Sequence, residues 1–406
     1  MKLVGCVLLA AALTATVGCA ESESSDTRST VEIADSAGIS VVATDTGAIV
    51  NRLRLAAQPD WSISEVVIDG SPAPLYDIRD VAVLESGRVA ISHRSTSSVL
   101  VGEPRSGTEW IEFGGRGEGP TEMLDVRSVE VVGDTLRVLD PRRARVLSFL
   151  PSGSFIRADE LPPGAREDLL LWTPFADSEA VVQLSFVPDE PSDSTVRGTG
   201  PLFTRVGEAW DSIGSVPGVE SFQVPSLGGE APAGARTYIA GGPDGLWVGD
   251  NARAEVVRVS ASGEPDLIVR WPEDLSRDPV EVSRAAIEAQ IAEFRKVSEP
   301  APADLALLRS IPPSRRAPQF TGLLAASDGS LWVGPYEAGL GWMWNPFRDG
   351  GRWMIVSPDG EISALATLPD RFEPFAATGA RVIGVRRDEF DVEWLEAYRL
   401  VPVVPQ

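Results

Sequence analysis

The sequence predicts an all-β fold: a six-bladed β-propeller of four-stranded antiparallel blades, with a small helical insertion between blades four and five. Three observations predict it. Short apolar strands are joined by hairpin-type turns such as Ser86-Gly87, Asp244-Gly245 and Asp328-Gly329. The unit recurs near residues 93, 140, 185, 250, 335 and 386, about 45–65 residues apart with one longer gap. The last unit then lacks one strand, and a Trp-led segment near the N-terminus has the layout of the missing piece.

The repeats align residue by residue. "YDIRDVAV" (76–83) matches "LDVRSVEV" (124–131), with Asp77 on Asp125 and Arg79 on Arg127. "LRVLDPRRARVLSF" (136–149) matches "LWVGDNARAEVVRV" (246–259), with Asp140 on Asp250. "VAISHRSTSSVLV" (89–101) fits the same frame and puts His93 in the aspartate position. A pair of β-sandwiches would not produce this period.

The stretch "FGGRGEGPTEM" (113–123) has the glycine density of a phosphate loop. No Lys-Ser/Thr follows it and no helix opens after it, so the P-loop mechanism has no parts here. It reads instead as the link from the outer strand of one blade to the inner strand of the next, where glycine permits a tight path. Arg116 sits at the tip of this link as a candidate contact for an anionic ligand.

Ring closure follows from the ends. "DVEWLEAYRLVPVV" (391–404) supplies only one strand after the sixth strand pair. Residues 61–67 of "DWSISEVVIDGSPAPLYDIRD" are therefore expected as the outer strand of blade six, removing a free sheet edge.

Residues 273–316 break the repeat. Asp278 is an N-cap, Pro279 suits the first turn, Glu281 completes a capping box, and Ile287, Ile291 and Phe294 share one helical face. A second short helix is expected over 302–311. Links of this kind leave one end of a propeller, so the insertion is expected near the top mouth of its channel, as a lid or as gap-filling packing. "GPYEAGLGWMWNPFRDGGRWMIV" (334–356) adds Tyr336, Trp342, Trp344, Phe347 and Trp353, readable as an aromatic platform or as core.

Residues 1–18 read as a lipoprotein signal peptide. Lys2 precedes an apolar run, Leu3 to Val17, too short for a comfortable membrane span, and Val17-Gly18-Cys19 resembles a lipobox. Cys19 is the expected lipidation site. Residues 19–59 form a polar tether followed by N-terminal strands, and residues 60–406 form the propeller. The absence of aspartate after Cys19 points to the outer membrane, facing the periplasm or outward, with membrane attachment through the lipid alone.

Composition narrows the chemistry. Apolar residues are 43% of 406, enough for a sizeable core. The formal charge is −23, which disfavours a nucleic-acid partner. His93 is the single histidine, so a site needing two is excluded, and no Ser stands in a G-x-S-x-G elbow.

The run "FGGRGEGPTEM" with "VRSVEVVGDTLRVLDPRRARVLSFLPSGSF" (126–155) resembles the bacterial six-bladed propellers of the NHL and TolB-like type. The resemblance covers most of 60–402 and is sharp in blades one, two and four. It implies the fold more firmly than a function. Some six-bladed propellers are metal-dependent lactonases or lyases, with calcium or zinc held in the channel by Glu, Asn, Asp or His.

Two function classes follow. The first is an envelope lipoprotein that binds a protein, peptide or glycan on its top face, without a cofactor. The second is a metal-dependent hydrolase or lyase, lactonase-like, for which a Ca²⁺ site around Asp250 is the candidate. In either class the candidate channel-rim residues are Arg79, Arg127, Arg116, His93, Asp140 and Asp250. The plainer reading makes the aspartates turn caps, His93 a hydrogen-bonded rim residue, and the Asp–Arg pairs ties between blades.

Overall fold

The structure, a computed structural model, describes residues 31–49, 51–105, 110–163, 170–184, 192–336, 350–378 and 380–403. The signal segment, Cys19 and residues 20–30 lie outside the described residues, as do Trp342, Trp344 and Phe347.

The chain runs through successive antiparallel meanders. The first comprises Ile78–Val83, Val89–His93, Ser98–Gly102 and Ile111–Gly114. The second comprises Ser128–Val132, Thr135–Asp140, Arg145–Phe149 and Phe155–Glu160. The third comprises Leu170–Phe175, Ser178–Gln183, Val196–Val206 and Ala209–Val224, extended by Leu227–Glu230. The fourth comprises Thr237–Gly242, Gly245–Asp250, Glu255–Val259 and Pro265–Arg270. The fifth comprises Phe320–Ala325, Leu331–Pro335, Gly351–Val356 and Ile362–Leu368. The closing meander comprises Phe372–Thr378, Arg381–Arg387 and Glu393–Pro402, with Trp61–Ile63 on its edge. The inner strand of each meander packs against that of the next, and Phe372–Thr378 packs back on Ile78–Val83. The fold is a β-propeller.

Radial packing explains the hydropathy of each strand. Middle strands lie between two neighbouring sheets, so Val89–His93, Ser98–Gly102, Arg145–Phe149 and Ser178–Gln183 are buried at every position. Such strands read as continuous apolar runs rather than alternations. The outer strand Phe155–Glu160 is almost entirely exposed and carries Arg157, Asp159 and Glu160. Hairpin turns use glycine where left-handed backbone is required, as at Gly87 with φ +84°.

The N-terminal residues stitch the ring. Trp61–Ile63 pairs with Leu395–Ala397, so the outer strand of the closing meander does come from the N-terminal side. It is shorter than residues 61–67, because Glu65–Ile68 turns away to pair with Ser71–Pro74. Arg52–Leu55 adds a second join, antiparallel to Leu400–Pro402 and parallel to Leu365–Thr367. The hairpin of Val31–Ser36 and Ile39–Thr44 extends the fourth meander through a parallel pairing with Leu267–Arg270.

The insertion forms helix α1 (Pro279–Val297) and helix α2 (Pro302–Arg309). Asp278 caps α1 by accepting from the Val280 N–H at 2.9 Å. Ile287, Ile291 and Ile311 pack on Phe222, Val224 and Ala231, so the helices lean on the long third meander. Phe294, expected on that face, is 38% exposed. The last turn of α1 overhangs its support.

Buried ion pairs join neighbouring meanders. Between the second and third, Arg137 contacts Asp159 at 2.6 Å and also Glu179, and Arg205 reaches Asp159 at 3.3 Å. Between the closing and first meanders, Arg387 bonds Glu373 at 2.9 Å and Glu393 at 2.9 Å, while Glu393 accepts from the Ile78 N–H at 2.9 Å. Removing one partner of such a pair strands the other charge, which costs about 3–5 kcal/mol. Arg387→Ala strands both Glu373 and Glu393 and is therefore expected to lower the unfolding free energy by that order, read as a fall in the urea midpoint. A loss below about 1 kcal/mol would place this contact among ordinary surface pairs.

Candidate functional site

A cavity of about 1210 Å³ runs along the propeller axis. At one end its wall begins at Arg79 and Arg127, near the starts of the first two inner strands. At the other end it reaches the inner hairpins, through Leu84–Gly87, Pro243 and Ser327. The insertion contributes no residue to this wall, and its helices pack on the third meander. The lid expectation therefore fails: α1 and α2 do not border the cavity.

The wall is two-sided. The first two meanders present Arg79, Asp80, Arg127 and Glu130, whereas the fourth and fifth present Ile239, Ala240, Leu323 and Leu324. Glu373 and Phe375 complete the circle, with Glu373 bound to Arg387. At the hairpin end, Asp60 is ringed by Arg381 at 3.3 Å, Arg399 at 3.0 Å and Arg105 at 4.0 Å. A mixed-charge rim exists there, built from residues the sequence reading did not single out.

The candidates disperse. Arg79 and Arg127 come together on the cavity wall. Asp140 is fully buried, accepts from the Leu124 and Asp125 N–H groups at 3.3 and 3.2 Å, and meets Arg145 at 3.5 Å. Asp250 holds the Arg197 guanidinium in a fork at 2.9 and 2.8 Å and accepts from the Ala252 N–H at 3.0 Å. Arg116 is exposed on its link, bridged to Met123. That link is pinned by Arg143, which donates to the carbonyls of Glu118 and Gly119 at 2.9 and 3.0 Å. Gly114 has φ +86° there, a left-handed backbone that favours glycine.

His93 is buried. Its Nδ1 lies 2.7 Å from the Thr96 hydroxyl, its Nε2 has no partner among the described residues, and Tyr76 packs edge-on at 4.5 Å. Burial lowers its pKa, against the raising pull of Asp77, Glu112 and Glu393. The ring lies off the cavity. Tyr336 and Trp353 are both buried, Tyr336 beneath Arg277 and Trp353 in the core of the fifth and closing meanders.

Asp80 and Glu130 are the residues that sequence reasoning missed. Each is the one acidic side chain in a largely apolar inner strand, a signal visible in "IRDVAV" and "SVEVV". Asp80 accepts from the Val81 N–H at 2.9 Å and, across the joint, from the Val129 N–H at 3.0 Å. Burial raises the Asp80 pKa to about 7 despite these donors, with Glu373 adding to the rise. Burial first, then Asp80, raises that of Glu130 to about 8. Among the described residues no group of three or more His, Cys, Asp or Glu side chains is placed to hold a metal ion.

The fold and cavity thus define a β-propeller with a two-sided axial channel. No protein-family model matches the chain, and no curated protein matches it. Among solved structures it is similar to a member of the DUF4221 family from Bacteroides vulgatus, at 11% identity and TM-score 0.49, covering 87% of this chain and 99% of that one. A putative exported protein from Bacteroides fragilis matches at 10% identity and TM-score 0.45, covering 90% and 100%. A streptogramin B lyase matches at 11% identity and TM-score 0.42, covering 84% and 98%.

The two raised carboxyls set a pH dependence. A group whose folded pKa exceeds its unfolded value favours the fold below the unfolded pKa and loses that contribution as pH rises through the folded one. The thermal midpoint should therefore fall by a few degrees between about pH 5 and about pH 8.5. Asp80→Asn combined with Glu130→Gln should flatten that slope. An equal slope in the double variant would remove these carboxyls from the account.

Proposed function

We propose that this chain is an exported, lipid-anchored, six-bladed propeller of the NHL/TolB-like type that binds an extended peptide in its axial channel. The observation that carries this reading is the channel's volume and two-sidedness. About 1210 Å³ exceeds what a drug-sized ligand needs. A polar wall of Arg79, Asp80, Arg127 and Glu130 facing an apolar wall of Ile239, Leu323 and Leu324 suits a backbone with polar groups along one edge and side chains along the other. The mouth at the hairpin end, rimmed by Asp60 and its arginines, is the entry.

Export and anchoring rest on the sequence signal ending at Cys19. The compartment that follows from this reading is the bacterial envelope, on the outer membrane. Among the described residues no helix is long and apolar enough to cross a membrane.

Capture from a peptide library by the purified full-length protein in detergent, with an envelope-glycan array in parallel, tests the binding. Ala376→Trp narrows the channel at a half-buried wall position and should abolish capture while leaving the melting transition in place. Capture of glycans alone, or unchanged peptide capture by Ala376→Trp, overturns this reading. Labelling with a fatty-acid probe should be lost in Cys19→Ser; retained label overturns the anchor.

A further inference from the structure

We propose that Arg79, with Arg127 beside it, is a seat for an oxyanion, a carboxylate or phosphate group, at the end of the axial cavity away from the inner hairpins. The inference rests on the reading that a ligand occupies the channel, and it names the group which that ligand presents there.

Arg79 is placed by a bulge. Ile78 pairs with His93 and Asp80 with Ser92, so Arg79 is the extra residue of the first inner strand. Bulges re-aim a side chain at the cost of regular pairing, and they gather at binding sites. The side chain of this extra residue lines the cavity.

Arg79 also lacks what the other buried arginines have. Arg137, Arg145, Arg205 and Arg387 each face at least one carboxylate. Among the described residues Arg79 makes no hydrogen bond or ion pair, and its Nε is buried without a partner. The nearby carboxylates are engaged elsewhere: Asp77 by the Ser95 hydroxyl at 2.6 Å and Asp125 by Arg127 at 3.5 Å. Burial lowers the Arg79 pKa; around it Arg94 and Arg127 add like charge, and Asp125 and Asp77 add opposite charge without forming an ion pair with it. A half-buried guanidinium with no hydrogen-bonded partner is costly, and its planar fork matches a two-oxygen anion.

The neighbouring acids do not oppose such a ligand. Asp80 and Glu130 are pushed toward neutrality by burial, and a protonated carboxyl donates to an anion rather than repelling it.

The test follows the thermal midpoint of the full-length protein against inorganic phosphate and against acetate, at ionic strength held constant with chloride. A saturable rise with either anion is expected, and the stronger of the two identifies the ligand class. Arg79→Gln should weaken that response about tenfold or more, while Arg79→Lys retains part of it. Without added anion, Arg79→Gln should melt no earlier than the parent, because no hydrogen bond or ion pair is lost with the guanidinium. An earlier melt would make Arg79 a structural residue and overturn the seat, as would the absence of any saturable response. Arg79→Gln that captures peptides as the parent does overturns the seat and leaves channel binding intact. Ala376→Trp that still captures peptides overturns channel binding, while the phosphate and acetate titrations still report on the seat.

Discussion

Pairing of the long strand Glu393–Pro402 with two N-terminal segments is the constraint on which the cavity depends. A chain of meanders without it would be an open arc with exposed edges at both ends. The strand Glu393–Pro402 takes Trp61–Ile63 along one stretch and Arg52–Leu55 along another, and its Glu393 carboxylate receives the Ile78 N–H of the first meander. Backbone ladder, side-chain hydrogen bond and the Arg387 ion pair all act at the same seam. The axial walls face one another only while that seam is shut.

The same demand accounts for where the charged side chains went. Neighbouring sheets meet over broad apolar faces, which fix distance but leave sliding between blades cheap. Directional contacts fix register. Asp80 crosses to the Val129 N–H, Asp250 crosses to the Arg197 guanidinium, and Asn251 crosses to the Phe320 carbonyl at 3.1 Å, while Asp140 pins the link into its own meander through the N–H groups of Leu124 and Asp125. Aspartates at repeated positions thus serve the repeat itself. Glu220 plays a similar part for the insertion, accepting from the Arg315 N–H at 2.8 Å and the Ala235 N–H at 3.1 Å.

What could be read from the sequence followed from what repeats. Strands, turns and the Gly-rich link recur, so each copy supported the reading of the others, and the closure by Trp61–Ile63 fell out of counting strands. The long hairpin of Val196–Val206 and Ala209–Val224 was not legible. Its Pro201, Pro217 and Gly214 look like breakers, and the strands accommodate them through register shifts at Arg197/Thr199 and Leu202/Phe203. That hairpin drew the insertion away from the axis, which no local pattern in residues 273–316 could disclose. At the site, repetition misled. His93, Asp140 and Asp250 shared a frame position and looked like a rim, but a shared position in a repeat marks a shared structural task.

Function in such a ring is better sought where the copies differ. Paired positions near the starts of the inner strands are Ile78 opposite His93, Thr237 opposite Asp250 and Phe320 opposite Pro335. Only the first two inner strands bring arginines to the cavity wall, Arg79 through a bulge and Arg127 just ahead of its strand. Deeper in the same two strands stand Asp80 and Glu130, while the matching depth of the fourth and fifth strands is Ile239, Ala240, Leu323 and Leu324. A ring assembled from near-copies would be expected to have a symmetric axis. Here one arc carries ionisable side chains and the opposite arc carries none. Asp80 serves the joint through the Val129 N–H, but among the described residues no contact between blades uses the Arg79 guanidinium. That arginine is therefore the part of the axis that a ligand can explain and the fold alone does not.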